Sequence, residues 1–288
     1  LLVILIHIDP LFAKGALSGW LISNGIARIA SPCFFIIIGY YISGRLDNPK
    51  AIKKYVLHLL ILYIVWTAIY SPLLFYNPTI KGTILALTMG YFHLWFIPAA
   101  IIGILILFIV KKYIKNDVYI LGISLLLFAI GYILSFQQNI IYLYRNALTL
   151  GFPYIFLGYY IRKKINPADI KDNYLIQIIL ISFLGILTES YFKYWLSDGQ
   201  HPHQNLFLSM LIFCPAIIML ILKHSKLGQG EKFVNVLSAG IYFIHPLVIL
   251  IVRMPPEYTI YRFPIVLLFT VTLSYFVYWV NKYIKIFY

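Results

Sequence analysis

Charge is what this chain has least of. Asp, Glu, Lys and Arg make up 11% of it, hydrophobic residues make up 62%, and only nine residues are acidic. Soluble domains carry about 25% charged residues, so a water-soluble globule is excluded. Alternation is missing too. The apolar stretches are continuous runs, which excludes a transmembrane barrel. Cysteine is nearly absent. Cys33 and Cys214 both sit within apolar runs, so they read as small buried hydrophobes rather than a disulfide framework. There is no phosphate-binding loop and no dinucleotide glycine pattern.

What is present is apolar sequence in lengths of about 20 residues, enough to cross a bilayer as a helix. With barrels excluded, only helices satisfy their backbone in lipid. The chain reads as all-α, a polytopic helical membrane protein of about ten transmembrane helices, forming a single domain over residues 1–288. The expected spans are 1–8, 22–43, 54–75, 93–111, 117–135, 148–162, 173–191, 205–222, 234–252 and 262–281. The sixth is short and carries Gly151, Pro153 and Gly158, so a broken or tilted helix is expected there.

Lys and Arg number 23, and the formal net charge is +14. Their placement decides what that means. Sixteen fall in one set of loops, six in the opposite set, and Arg28 lies within a span. A bias that alternates loop by loop is the positive-inside signal. The richer side therefore reads as cytoplasmic. Lipid headgroups suffice as partners for this charge, and no nucleic acid is needed. The chain opens LLVILIHIDP, without an initiator Met. The run before His7 spans only ~10 Å at the helical rise. It reads as the end of a longer helix, truncated at its N-terminus, since neither the basic start nor the cleavage site of a signal peptide is present. Both chain ends then fall on the cytoplasmic side.

On this reading all nine acids, Glu189 among them, lie in loops or at helix ends. That weakens a proton-coupled transporter, whose relays run through membrane carboxylates. The cationic and imidazole groups behave otherwise. His7 closes the first span, Arg28 lies about 9 Å inside the second by helical rise, and His93 opens the fourth. Arg145 and Asn146 precede the sixth, and His245 lies near the middle of the ninth. Five helices thus bring His or Arg to the outer half of the membrane. Each also has an ordinary reading: interfacial imidazoles, a snorkelling Arg28, a loop charge at Arg145, a His245 that bonds the carbonyl freed by Pro246. His58 reads as structural. His201 and His203 read as a solvated loop pair without a third metal ligand.

Several stretches resemble a known family. PCFFIIIGYYISGR resembles the P-x-F-F-x-x-S-G-Y signature of the integral-membrane acyltransferase-3 family, which includes O-acetyltransferases of bacterial surface polysaccharides. HLWFIPA resembles its H-L-W-F-L stretch, and GIYFIHPLVI its late Y-x-x-H stretch. LIHIDP resembles the end of its first helix, where the family carries a His eleven residues after an Arg. RNALTLGFPYIFLGYYI resembles the branch that includes the enterobacterial common antigen O-acetyltransferase. Two departures stand out. The Arg expected eleven residues before His7 would precede Leu1, and the family Ser is Ile38 here.

The resemblance implies transfer of an acetyl or similar acyl group from cytoplasmic acyl-CoA, usually acetyl-CoA, to a sugar hydroxyl of a surface or lipid-linked glycan. It implies a multi-pass protein of the bacterial cytoplasmic membrane with no bound cofactor and no metal. The residues suit that chemistry. A hydroxyl needs a general base, and imidazole titrates near ~6.5 when unperturbed; His7 is the candidate. The departing thiolate and the tetrahedral oxyanion need donors or positive charge; Arg28 is the candidate, with His93 and Tyr242 behind it. His245 is a second base or an orienting group, and a covalent acyl-His intermediate stays open. Arg45, with Lys50, Lys53 and Lys54, is the expected hold on the CoA phosphates, though the positive-inside rule explains the same residues. Trp95, Arg145 and Asn146 complete the substrate-side candidates. Two other readings stay open: a transporter or flippase for a lipid-linked glycan, and a non-catalytic export partner.

Overall fold

The computed structural model describes residues 1–8, 11–12, 15–74, 79–137, 140–199, 206–224, 232–252 and 259–284. Asp9, His201 and His203 lie outside the described residues. Among those described, the regular structure is entirely helical. The α-helices are α1 (Leu2–His7), α2 (Leu17–Ser23), α3 (Ala30–Ile42), α4 (Pro49–Leu74), α5 (Ile80–Met89), α6 (Phe96–Tyr113), α7 (Asp117–Leu134), α8 (Ile141–Tyr144), α9 (Phe152–Lys164), α10 (Asp172–Ser197), α11 (Met210–His224), α12 (Lys232–Ile251) and α13 (Thr259–Ile284).

Local sequence explains the ends. Asn116 caps α7 by accepting from the Val118 N–H at 2.9 Å, and Thr79 caps α5 by accepting from the Gly82 N–H at 3.1 Å. Each oxygen serves an amide that the first turn leaves without a partner. Lys111 and Lys112 fall in the last turn of α6, where the helix dipole favours cations.

Among the described residues, six helical segments are long and apolar enough to cross a membrane: 17–45, 49–73, 92–113, 117–134, 172–197 and 261–284. Met210–His224 and Leu237–Ile251 are apolar but shorter. The expected ten are not reached by this measure. α1 holds only six residues, and α9 holds 13, the last three being Arg162, Lys163 and Lys164. Five stretches depart from the expected boundaries. The span expected over 22–43 is divided into α2, the 3-10 turn Ile26–Ile29 and α3. α4 begins at Pro49 rather than 54. α5 forms where a loop was expected. α10 runs on to Ser197, six residues past the expected end at 191. α11 begins at Met210 rather than 205. The entry to α9 is broken as expected, by a π-helical turn over Ala147–Gly151.

The chain divides into two units. The first comprises residues 1–30, 183–205 and 225–288. In it α12 and α13 pack along each other, and α1 lies against α12 and against the 3-10 turn Ile26–Ile29. Trp20 Nε1 donates to the Ser190 carbonyl at 3.0 Å, and the Tyr194 hydroxyl donates to the Gly15 carbonyl at 2.7 Å. These bonds fasten the α2 region to the second half of α10.

The second unit comprises residues 31–182 and 206–224. α9 is its core: Phe152 to Phe156, Gly158, Tyr159 and Ile161 are all buried. A helix apolar on every side belongs inside a bundle. α6, α7 and α11 pack against it. The approach of α3 is closer than side chains allow. A Cβ at Gly39 would lie 1.9 Å from the Ile155 carbonyl oxygen, and one at Gly158 would lie 2.0 Å from that of Ile36. The two Gly-Tyr-Tyr sequences therefore supply reciprocal gaps through which two backbones meet.

Candidate active site

Two expected site residues meet in the first unit. The His7 and His245 rings lie 5.2 Å apart between centroids, tilted by 32°. α1 carries His7 in its last turn and packs on α12, which carries His245. His7 is half-buried and His245 fully buried. The Nδ1 of His245 lies 2.9 Å from the Ile241 carbonyl oxygen, one turn back along α12. A carbonyl only accepts, so Nδ1 carries the proton and Nε2 presents a lone pair. Pro246 follows directly and has no N–H for the helix ladder, so this turn already departs from regular bonding. The Tyr242 ring lies 6.4 Å from that of His245.

Arg28 sits on the 3-10 turn Ile26–Ile29, the segment that packs on α1. It is 8% exposed, and its Nη2 donates to Asn24 Oδ1 at 2.5 Å. α10 adds two charges that the sequence placed in or near a loop. Lys193 is 2% exposed, and the charges of Glu189 and Arg28 both act on it. The reason is the six further residues of helix. FKYWLS continues α10 and turns Lys193 inward one turn beyond Glu189. A carboxylate inside a helix long enough to span is therefore present, contrary to the expectation that all acids lie at ends or in loops.

The second unit holds the other candidates. Gly90 adopts φ 92°, and a Cβ there would lie 2.3 Å from Trp95 Cα, so only glycine permits this bend. It folds the chain into the 3-10 turn Phe92–Trp95 that carries His93. His93 is 2% exposed and meets the buried Tyr70 ring edge-on at 4.9 Å. Two residues on, Trp95 lies beneath the Arg145 guanidinium, 5.1 Å from its carbon. Asn146 holds the backbone around Arg145. Its amide donates to the Tyr142 and Leu143 carbonyls and accepts from the Leu148 and Thr149 N–H groups, at 2.7 to 3.1 Å. Asn146 thus shapes the π-helical turn, and its own polar atoms are engaged there.

At the far end of α6 lies a cleft of about 560 Å³, lined by Lys111, Lys112, Lys115, Lys163, Lys164, Tyr159, Ser43 and Asp47 among others. Asp117 accepts from Lys111 at 2.6 Å and from Lys164 at 3.3 Å, which fixes two of the five lysines. The expected phosphate holders lie elsewhere. Arg45 is exposed, with its guanidinium carbon 6.0 Å from the Tyr55 ring centre, and Lys53 and Lys54 are exposed on the first turns of α4. None of the three lines the cleft. Its lysines come from two loop ends that sequence reading counted only as topology signals. Their convergence depends on the α6–α9 packing, which no spacing along the chain displays.

Residues 1–279 match the acyltransferase-3 family model, described as an acyltransferase domain. This chain belongs to the acyltransferase-3 family. Membership supports an acyltransferase on a multi-pass helical membrane domain. An amino-acid racemase of Enterococcus faecalis is 27% identical over 291 residues, covering 89% of this chain and 40% of the racemase. A serine/alanine racemase of Enterococcus gallinarum is 27% identical over 275 residues, covering 85% of this chain and 39% of that protein. The acyltransferase-3 chain thus spans about two-fifths of the length of these relatives, and their names describe the longer proteins. No solved structure matches. The enterobacterial common antigen branch is not singled out by any of these matches.

Proposed function

We propose that the chain transfers an acetyl or similar acyl group from cytoplasmic acyl-CoA to a hydroxyl of a surface or lipid-linked glycan. The observation that carries this reading is the imidazole pair. His245 holds its Nδ1 proton on the Ile241 carbonyl, and the His7 ring lies 5.2 Å away between centroids. His7, the less buried imidazole of the pair, takes the proton of the acceptor hydroxyl. The hydroxyl oxygen attacks the thioester carbonyl, and Arg28 stabilises the oxyanion. Collapse breaks the C–S bond, and the CoA thiolate leaves and takes up a proton. Tyr242, whose ring lies 6.4 Å from that of His245, serves as a further donor. The lysine cleft holds the CoA phosphates, with Arg45, Lys53 and Lys54 raising the local potential around its mouth.

In this reading the chain crosses the bacterial cytoplasmic membrane ten times, with both ends on the lysine-rich side and membrane lipids around it. The branch-like stretch from Arg145 to Ile161 makes an enterobacterial-type glycan the working acceptor.

A second reading rests on the printed names of the relatives. Their amino-acid racemases make an amino acid the cargo of the shared membrane segment, moved rather than acylated. One experiment separates the two. The full-length protein is reconstituted in liposomes with acetyl-CoA outside and a crude glycan acceptor inside. Acceptor-dependent release of free thiol supports the transferase. Accumulation of labelled L-serine or L-alanine without thiol release supports the transport reading and refutes ours.

A further inference from the structure

A second cleft, of about 300 Å³, opens at the other end of α6 from the lysine cleft. The 18 residues of α6 separate the two ends by ~27 Å. Thr79, Thr83, Tyr91, Phe92, Tyr142 and Arg145 line it. Three features mark it as built rather than incidental. Phe92 adopts φ 52°, a left-handed backbone that a bulky residue rarely takes and that concentrates at functional sites. The π-helical turn Ala147–Gly151 begins two residues after Arg145, and such turns are frequent at functional sites. The Arg145 guanidinium lies over the Trp95 ring, its carbon 5.1 Å from the ring centre, a cation–π contact that leaves its N–H groups for another partner.

The charge of Arg145 needs an account. Among the described residues no carboxylate pairs with it and no hydrogen bond engages its guanidinium. Desolvation pulls it down to about 10, so it stays cationic at neutral pH. The surrounding wall offers hydroxyls, from Thr79, Thr83, Tyr91 and Tyr142, and no described acid. A planar cation in a cleft whose lining also carries hydroxyls is the chemistry that receives a planar or tetrahedral oxyanion.

We propose that this cleft is an oxyanion subsite, which seats a carboxylate or phosphate group of the acceptor beside the turn that carries His93. Naming the ligand as the acceptor rests on the acyl-transfer reading; the anion preference does not. The acceptor is accordingly an acidic or phosphorylated sugar rather than a neutral one. Arg145 is a specificity residue, and the Trp95 face and Asn146 position it.

The test is calorimetric titration of the full-length protein in phosphatidylcholine nanodiscs, with D-glucuronate, glucose 1-phosphate and D-glucose as probes. It is run in a Lys112→Gln/Lys163→Gln background, so that the lysine cleft does not report. One or both anionic probes should bind, glucose should not, and the better anion names the group. Arg145→Gln should weaken that binding about tenfold, the scale of one charged hydrogen bond, and Arg145→Lys should recover part of it. Thr83→Asp, which adds a carboxylate to the same lining without removing the guanidinium, should abolish binding in a protein whose unfolding midpoint is unchanged. Equal binding of glucose and the anions overturns the proposal, as does anion binding indifferent to both Arg145→Gln and Thr83→Asp. Nanodiscs of phosphatidylglycerol give the last arm. If lipid occupies the cleft and no soluble probe binds in either membrane, the acceptor assignment fails. Because binding is read without turnover, absence of thiol release would refute the transferase reading and leave the subsite standing.

Discussion

The lysine cleft makes a quantitative prediction about CoA. Of its five lysines, Lys111 and Lys164 pair with Asp117, and among the described residues no ion pair engages Lys112, Lys115 or Lys163. Replacing Lys112 and Lys163 by Gln removes two cations and keeps the length of both side chains. A hydrogen bond to a charged group is worth about 1.5–3 kcal/mol when removed from a buried site, but both residues are exposed, and solvent screening cuts exposed pairs to below about 1 kcal/mol. Two such losses come to roughly 1.4 kcal/mol, a tenfold weaker Kd. Equilibrium dialysis of CoA against the protein in nanodiscs reads this directly. Raising salt from about 0.05 to 0.5 M should weaken wild-type binding more than that of the variant, since fewer exposed charges remain to be screened. Dephospho-CoA, which lacks one phosphate, should bind the wild type more weakly and be less sensitive to the double substitution. A Kd for CoA within twofold of wild type in the folded variant would refute the assignment of this cleft to the donor.

Two further predictions concern the scaffold. Gly158→Val should lower the thermal unfolding midpoint by several degrees through overpacking of roughly 3 kcal/mol, because its Cβ would overlap the Ile36 carbonyl. Gly122→Ala, where a Cβ meets nothing within 4 Å, should raise it slightly by helix propensity; equal effects at the two sites would contradict the close crossing of α3 and α9. Glu189→Gln should destabilise by about 3 kcal/mol, since it removes the negative charge that acts on the buried Lys193 cation. Lys193→Met combined with it should restore much of the loss in a double-mutant cycle, whereas strictly additive effects would separate the three charges.

The fold was legible where composition alone decides it. Continuous apolar runs of spanning length specify helices in a bilayer, and the helices α6, α7 and α13 appear close to their expected limits. The misjudged segments are those where hydropathy gives no signal. Ile80–Met89 is too short and too polar at its start to read as a helix, yet Thr79 caps one there. The end of α10 carries Glu189 and Lys193, which look like loop charges one at a time, but four residues apart they share a helix face. His7 and His245 were legible as candidates because imidazole in an apolar run is costly, while their meeting depends on α1 packing against α12. The lysine cleft was hidden for the opposite reason. Lys is expected on the cytoplasmic side of any membrane protein, so five converging lysines looked like topology. The strain at Phe92 and the π-helical turn after Arg145 belong to backbone geometry, which residue types do not reveal.

The central claim is that His7 and His245 act as one base. The most direct measurement is acceptor-dependent thiol release from acetyl-CoA by the full-length protein, comparing wild type, His7→Gln, His245→Gln and the double variant, with CoA binding measured alongside. The account predicts that either single substitution costs at least a hundredfold in turnover, that the double costs little more than either single one, and that CoA binds all four alike. Turnover near wild type in either single variant, with CoA binding intact, would contradict it.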